Sequence, residues 1–455
     1  RQRQMCIRDR SGIVSAYAFS DPLSHMLLAS NNKNFNSKMK KDPNNVIDIH
    51  RSLSYNIISN KGDVMSDGFR VPGSPDGMSA FFVDSNHTVL VRNHELGRAS
   101  GRLMGPFKDP KKDAIALGEK HYDRKAFGGT TNVLINNATN KVVKEYLSLS
   151  GTMTNCAGGV SPWNTWLTCE ENISKKQKNK VSHGYVFEVD PKKDFLQNPV
   201  PLKKMGRFQH EAVAFDKYGS AYLTEDRGDG LLYKFIPKNK TSLVDGNLYA
   251  LKIIEKDSRN WKKNNILINQ KFEIEWVKLE DVDPESDTLR EEGIEKGATI
   301  FARGEGITHD GESMFFTCTS GGYLKKGQIW KLTPGAKENS ILELWFEVGK
   351  KDNLNMPDNL TVAPWGDLII CEDNPDIDRL WGITPSGTTY LIAENNYSSA
   401  ELAGVCFGSK NYILYLNIQQ NGQTIAVNGD WNSVCLLYTS PSPRDATLSR
   451  MPSSA

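Results

Sequence analysis

Apolar and polar residues alternate in short runs along this chain, and the runs return in the same order. Residues 211–237 show the pattern most clearly, because Ala212 and Ala214, and then Ala221 and Leu223, alternate with more polar neighbours. Alternation of period two is typical of β-strands. Residues 216–219 between the two runs are rich in turn formers, and residues 231–236 continue as a third run. The segment therefore predicts a hairpin followed by a third strand.

The same pattern recurs from one end of the chain to the other. Clear copies begin at Glu305 and Asp358, and weaker copies begin at Met78, Cys156 and Glu401. Repeats of about 45–55 residues, each a small sheet that cannot bury both faces alone, are typical of propellers. We therefore predict an all-β fold, a six-bladed β-propeller with loop and helical insertions. A sandwich or stacked barrels would also hold many short strands, but acids at one phase of the repeat favour a ring.

The predicted propeller does not cover the whole chain. Residues 1–10 and 433–455 lack periodicity, and we interpret both as non-native tails. Residues 11–60 form an N-terminal segment that is either the remnant of an export signal or a frayed terminus. Residues 61–432 are predicted to be one propeller domain with an insertion near 251–297, where a charged stretch separates two hairpins.

Charge and composition narrow the class of partner. The 455 residues contain 56 Lys and Arg against 54 Asp and Glu, a formal net charge of +2. This balance argues against nucleic acid, which is bound by basic stripes. No apolar run reaches the roughly 18 residues needed to span a membrane. We expect a monomer that binds a small molecule and neither nucleic acid nor membrane.

Candidate metal ligands stand at the first position of the hairpins. These are Cys156, Glu211, Glu305, Asp358 and Glu401, and the acids 14 residues after three of them are Glu170, Glu225 and Glu372. Two short strands joined by a tight turn bring position 14 back beside the first position. Crowded carboxylates repel one another unless cations lie among them. The pattern predicts bound calcium, while the thiol of Cys156 favours iron or zinc.

Other residues near these positions have alternative roles. Arg303 lies two residues before Glu305, so both side chains share one face of an extended strand. Its guanidinium is predicted either to bind phosphate oxygens or simply to neutralise crowded acids. His94 and His210 are further candidate ligands, although the chain lacks the clustered His spacing of zinc sites.

Several phrases resemble the PhoX-type alkaline phosphatase family over about residues 63–431. They are FGGTTNV at 127–133, NCAGGVSPWNTWLTCEEN at 155–172, RFQHEAVAFD at 207–216, LTEDRGDGLLYKF at 223–235, ARGEG at 302–306 and MPDNLTVAPWGDLIICEDN at 356–374. The resemblance implies a six-bladed propeller that hydrolyses phosphomonoesters at a cluster of Fe3+ and Ca2+ with a bridging oxide. It also implies twin-arginine export and a periplasmic or extracellular location.

The same resemblance assigns roles to individual residues. It implies that the iron pair is held by Cys156, Glu211, Glu305 and Asp358. It implies that calcium is held by Glu170, Glu171, Glu372 and Asp373, together with Glu225 and Asp226. Arg303 and Asn132 are expected to contact the phosphate, and we predict attack by a metal-bound oxygen nucleophile. Two alternatives stay open: a calcium-dependent lactonase-like hydrolase and a non-catalytic propeller stabilised by calcium.

Overall fold

The fold is seen in a computed structural model that describes residues 38–173, 176–178, 180–253, 257–263, 265–335, 339–408 and 412–434. Its strands are β1 Met39–Lys40, β2 Asp48–His50, β3 Leu53–Asn60, β4 Pro75–Phe82, β5 His87–His94, β6 Gly128–Asn136, β7 Lys141–Thr152, β8 Asn155–Val160, β9 Trp166–Glu170, β10 Val186–Val189, β11 His210–Phe215, β12 Ala221–Glu225, β13 Leu232–Asn239, β14 Ser242–Ile253, β15 Lys271–Lys278, β16 Gly304–His309, β17 Met314–Cys318, β18 Gln328–Thr333, β19 Ile341–Glu347, β20 Pro357–Val362, β21 Leu368–Glu372, β22 Arg379–Ile383, β23 Thr389–Glu394, β24 Leu402–Phe407, β25 Leu414–Ile418 and β26 Gln423–Gly429. Short helices lie at Arg98–Met104, Pro110–Ala116, Leu289–Glu295 and Trp431–Val434.

The predicted tail at residues 1–10, and all but two residues of the tail at 433–455, lie outside the described residues. None of the described helices has the length and apolar character needed to cross a membrane.

Six inner strands close a ring around a central channel. Strands β4, β8, β11, β16, β20 and β24 each contact the next, and β24 contacts β4 again. Each inner strand continues outward through antiparallel partners, which makes a blade. Blades I to VI begin at these six strands in order. The predicted all-β propeller class is confirmed.

Hydrogen bonding groups the described strands into five sheets, although six inner strands form the ring. The difference arises at β15, which pairs with β14 of blade III and with β19 of blade IV. The segment predicted as a surface insertion near 251–297 therefore contains a strand that joins two blades. The helix Leu289–Glu295 follows β15 in the same segment.

Strands from the beginning of the described chain complete the last two blades. Strand β3 pairs with β26 along its whole length, from Leu53 opposite Gly429 to Asn60 opposite Gln423. Strand β2 pairs with β23 of blade V. The predicted domain boundary at residue 61 is therefore too late, because the propeller already includes residues 39–60.

The blades are buried on both faces, unlike a sheet that has one face exposed to solvent. The second strands β9, β12, β17, β21 and β25 are buried at all five of their residues. Neighbouring blades cover both faces, and apolar side chains from adjacent blades pack there; Phe301 meets the rings of Phe316 and Trp330 edge to face. Burying each large side chain stabilises the fold by roughly 2–3 kcal/mol. Cys169, Cys318 and Cys371 lie in these second strands and Cys406 lies in the inner strand β24; all four are buried, as core packing predicts.

Candidate metal centre

Every inner strand carries a β-bulge close to the residue where its pairing with the second strand begins. The ladders shift between Pro75 and Met78 in β4, and at the corresponding places in β8, β11, β16, β20 and β24. The first unpaired residues of these bulges, in order, are Asp76, Cys156, Glu211, Glu305, Asp358 and Gly404. A bulge adds one residue on one strand and redirects its side chain. Five of six blades thus present a metal-type ligand from one structural position.

The structure brings the predicted ligands of four blades together. Sulfur or oxygen atoms of Cys156, Glu171 and Glu211 lie within 4.8 Å of one another, as do those of Glu211, Glu305 and Asp358. Glu211 belongs to both groups and links them. We call these five residues the mouth cluster, because they lie where the inner strands begin. One thiol and four carboxylates suit a metal that accepts both sulfur and oxygen.

The acids 14 residues after the hairpin start do not join this cluster. If the residue pairing next to the turn continued unchanged along the hairpin, Glu170 would lie opposite Cys156. The bulge shifts the pairing by one residue, so that Glu170 lies opposite Asn155. The same shift places Glu225 opposite His210 and Glu372 opposite Pro357. A one-residue shift moves a side chain to the other face. We call Glu170, Glu225 and Glu372 the blade acids.

Protein groups donate hydrogen bonds to both oxygens of Glu170 but to only one oxygen each of Glu225 and Glu372. Glu170 accepts hydrogen bonds from the backbone N–H of Met153 at 2.9 Å and of Gly184 at 2.9 Å, and His183 lies 2.7 Å away. Glu225 accepts from the hydroxyl of Tyr233, and Glu372 from the indole of Trp381. Burial raises the pKa of both Glu225 and Glu372 to about 8. Their assignment as calcium ligands stays a prediction.

The next residue in each hairpin has the opposite orientation. Glu171, Asp226 and Asp373 directly follow the blade acids, and we call them the mouth acids. Glu171 belongs to the mouth cluster, while Asp226 and Asp373 both contact Arg303. Of each predicted pair of neighbouring acids, the second therefore faces the mouth.

Arg303 lies among acids from three blades. Its Nε lies 2.8 Å from Asp226 Oδ1, its Nη1 lies 3.4 Å from Asp373 Oδ2, and Nη2 contacts Glu305. Burial lowers the pKa of the guanidinium, but Asp226, Glu305 and Asp373 more than reverse this effect and raise it. The side chain retains one fifth of its exposure. The guanidinium thus stays charged and accessible at the mouth.

Backbone strain accompanies this placement. Arg303 has a φ of 56°, in the left-handed region that residues with a Cβ rarely adopt. Ser74, Thr154 and Met356 have φ values of 44°, 53° and 52° at the same position before β4, β8 and β20. Such conformations cost roughly 1 kcal/mol or more each and concentrate at functional sites. In four blades, therefore, a residue with strained backbone directly precedes the inner strand and directs the following residues toward the channel.

Burial and mutual repulsion disfavour the charged forms in the cluster. Burial raises the pKa of Glu211 well above its ordinary value, and the carboxylates of Glu171 and Asp358 raise it further. Burial followed by neighbouring acids also raises the pKa of Glu305 and of the Cys156 thiol. Cations would compensate these charges and displace the protons.

Sequence reasoning missed further acids on the opposite side of the mouth. Asp76 and Glu95 both accept hydrogen bonds from Gln419 Nε2, at 2.7 and 2.9 Å. Burial raises the pKa of Asp76 to about 6. The signal was present, because Pro75-Asp76-Gly77 repeats the Pro-Asp start of the hairpin at Asp358. Glu401, which starts a predicted hairpin, lies near Asp358 and Asp373 and belongs to this side.

Asn132 and the two histidines lie apart from the mouth cluster. Asn132 is buried in the third strand of blade I, where its Nδ2 donates to the hydroxyl of Tyr146 at 3.3 Å. The structure does not place it beside Arg303, and its role toward phosphate stays a prediction. His94 Nδ1 lies 2.9 Å from the carbonyl of Gly73, and His210 Nε2 lies 3.0 Å from that of Gly206. Both histidines are held by backbone groups.

A solved structure provides an informative fold match. A structure described as Pseudomonas fluorescens PhoX in complex with vanadate, a transition state analogue, matches with a TM-score of 0.65 at 18% identity, covering 85% of this chain and 96% of that chain. At this identity the likeness shows the fold. A gluconolactonase from Xanthomonas campestris (10% identity, 82% and 98% covered) and a virginiamycin B lyase from Staphylococcus aureus (12%, 83% and 99%) reach TM-scores of only 0.39 and 0.40, too low to support any inference.

Sequence comparison identifies the family. No curated protein matches the chain. The family model described as Alkaline phosphatase PhoX matches residues 34–422, which include every residue of the mouth cluster and Arg303. The chain belongs to the PhoX alkaline phosphatase family and is a metal-dependent phosphatase of that family.

Proposed function

We propose that this protein hydrolyses phosphate monoesters at the channel mouth, with metal ions held by the mouth cluster and the phosphoryl group bound by Arg303. The convergence of one thiol and four carboxylates from four blades carries the proposal. A cluster of this kind is stable only with cations among its members. The family match favours a phosphatase over the lactonase hypothesis.

The donor set fits the metals that the resemblance implies. Cys156, Glu171 and Glu211 would hold one ion, and Glu211, Glu305 and Asp358 would hold a second. We propose the Fe3+ pair that the resemblance implies at these two groups, since iron accepts both sulfur and oxygen, and Ca2+ among the remaining carboxylates, which include Asp226 and Asp373. When bound, such ions supply Lewis acidity toward phosphoryl oxygens.

Arg303 has the geometry for a phosphate contact. A guanidinium presents five N–H donors in a plane and can bind two phosphate oxygens at once. Asp226 holds one edge of that plane through two contacts of 2.8 and 3.2 Å. The longer 3.4 Å contact to Asp373 is the weaker one. We propose that phosphate displaces Asp373 from Arg303 while Asp226 keeps the guanidinium oriented.

The proposal is tested by metal content and phosphate release together. Elemental analysis of protein purified without added metal should find iron and calcium, and the loaded protein should cleave p-nitrophenyl phosphate. Arg303→Lys keeps the charge but loses the planar donor pair, so we expect kcat/KM to fall roughly 100-fold with metal content unchanged. Arg51→Lys, at an exposed arginine, is the control.

A metal-loaded protein that cleaves no phosphate ester would contradict the proposal. Cys156→Ser should lose iron selectively and retain calcium, which separates the two proposed sites.

We also propose that the protein is exported to the periplasm or beyond, and that it acts as a monomer. Light scattering of the purified protein checks the oligomeric state.

A further inference from the structure

Three loops at the mouth end of blade IV carry a strong excess of basic residues. They are residues 257–263 after β14, 320–327 between β17 and β18, and 348–356 between β19 and β20. Their cations are Arg259, Lys262, Lys263, Lys325, Lys326, Lys350 and Lys351, and we call this set the basic rim. Its loops contain only two acids, Asp257 and Asp352. The six lysines are exposed and form no ion pair within the described part of the chain.

An aromatic side chain organises the basic rim. The guanidinium of Arg259 lies 4.7 Å, and the ammonium of Lys325 lies 4.4 Å, from the centre of the Trp261 ring. The indole N–H of Trp261 donates to the carbonyl of Ser320 at 3.0 Å, and Gly322 N–H donates to the carbonyl of Arg259 at 2.8 Å. Arg259 is also paired with Asp257 at 2.8 Å, so the cation–π contact of Lys325 fixes a charge that has no acidic partner among the described residues. The loops therefore present concentrated positive charge in a fixed arrangement.

The basic rim is joined directly to the proposed phosphate-binding residue. Thr319, which precedes the loop 320–327, donates its backbone N–H to the carbonyl of Arg303 at 3.0 Å. At the other side, Met356 N–H donates to the carbonyl of Lys326 at 2.6 Å, immediately before β20 begins. The rim thus lies between Arg303 of blade IV and the start of Asp358's strand. A molecule held by Arg303 whose remaining part lies over blade IV would come beside these lysines.

Blade IV is one of two blades that lack an acid directly after the second strand. Thr319 stands there in blade IV and Gln419 in blade VI, whereas the other blades carry Glu95, Glu171, Asp226 and Asp373. The corresponding loops on the blades next to blade IV are acidic, with Asp226 and Asp229 on blade III and Asp373, Asp376 and Asp378 on blade V. An anion approaching this part of the mouth meets repulsion on either side of blade IV and attraction over its lysines.

We propose that the basic rim is a subsite for the leaving group of the substrate, and that it selects phosphomonoesters whose leaving group carries a further phosphate. This inference rests on the proposed phosphatase function. Arg303 and the mouth cluster bind the phosphoryl group that is transferred, and the rim binds the second anionic group. The rim contributes to substrate binding rather than to the chemical step, so its effect appears in KM.

A matched pair of substrates tests the subsite. Fructose 1,6-bisphosphate carries the additional phosphate that fructose 6-phosphate lacks. In the variant Lys325→Gln/Lys326→Gln we expect kcat/KM for the bisphosphate to fall roughly tenfold through KM, and that for the monophosphate to change less than about twofold. Lys141→Gln/Lys240→Gln removes two exposed lysines from turns at the opposite ends of the blades and should alter neither value.

Calorimetry separates failure of the subsite from failure of the phosphatase proposal. Titration of the loaded wild type and variant with a non-hydrolysable phosphonate analogue of fructose 1,6-bisphosphate measures binding without turnover, and the variant should bind about tenfold more weakly. Equal losses for both substrates, or no change for either, would overturn the subsite. If the loaded wild type cleaves neither sugar phosphate but the binding difference persists, only the phosphatase proposal is lost.

Discussion

Two sets of carboxylates lie one residue apart in sequence and have opposite surroundings. The blade acids Glu170, Glu225 and Glu372 accept hydrogen bonds from protein N–H and O–H groups inside the blades. The mouth acids Glu171, Asp226 and Asp373 face other acids and Arg303. Protein donors bind both oxygens of Glu170 and one oxygen each of Glu225 and Glu372, whereas the mouth acids require a cation. The two sets therefore differ in their partners, not in residue type or burial.

The largest expected effect concerns the residue shared by both groups of the mouth cluster. Glu211→Gln keeps the shape of the side chain but removes a charge on which both metal positions depend. We expect kcat for p-nitrophenyl phosphate to fall at least about 1,000-fold, equivalent to about 4 kcal/mol. Metal content and phosphate release are the measurements. A variant that retains full metal content and activity would show that the mouth cluster is not the metal site.

The second prediction compares substitutions at two neighbouring acids, one from each set. Glu170→Ala leaves the buried N–H groups of Met153 and Gly184 without their acceptor, so we expect a loss of about 3 kcal/mol in the free energy of unfolding. Glu171→Ala, one residue later, should change the stability of the metal-free protein by less than about 1 kcal/mol. Urea unfolding in chelator compares the two. Equal losses would remove the distinction between blade acids and mouth acids.

The third prediction uses pH and the buried partner of a blade acid. Burial lowers the pKa of His183, but Glu170 and then Asp123 raise it to about 9. Its folded pKa exceeds its unfolded value near 6.5, so its contribution is complete below pH 6.5 and is lost as pH rises through about 9. We expect unfolding free energy to fall by about 2 kcal/mol over that window. His183→Gln should be less stable at pH 6 and should lack this part of the slope.

The smallest effect concerns repulsion within the mouth cluster. Asp358→Asn removes one of several crowded negative groups, so the metal-free protein should be stabilised by about 1 kcal/mol. In the metal-loaded protein the same change removes a ligand and should lower the melting temperature. Thermal unfolding with and without chelator measures both. A destabilisation under both conditions would indicate that Asp358 acts like a blade acid.

Much of the architecture could be predicted from residue patterns. The hairpins that begin at Cys156, Glu211, Glu305 and Asp358 form as the alternation of apolar residues indicates, because alternation reports strands directly. Residues 39–60 and strand β15 lie in blades, where the sequence patterns predict only an N-terminal segment and a surface insertion. Both pair with strands far away in sequence, and local pattern carries little information about such pairing.

The sequence by itself determined that hairpins repeat and that five of the six predicted hairpins begin with a metal-type ligand, since strand period and residue chemistry are local properties. Only the tertiary structure decided which of two adjacent acids faces the mouth. The bulge that shifts Glu170 away and admits Glu171 arises where inner strands approach closely; a Cβ at Gly77 would lie 2.6 Å from the Cα of Ala157. Because one extra residue in a ladder reverses every side chain beyond it, this outcome depends on packing between blades.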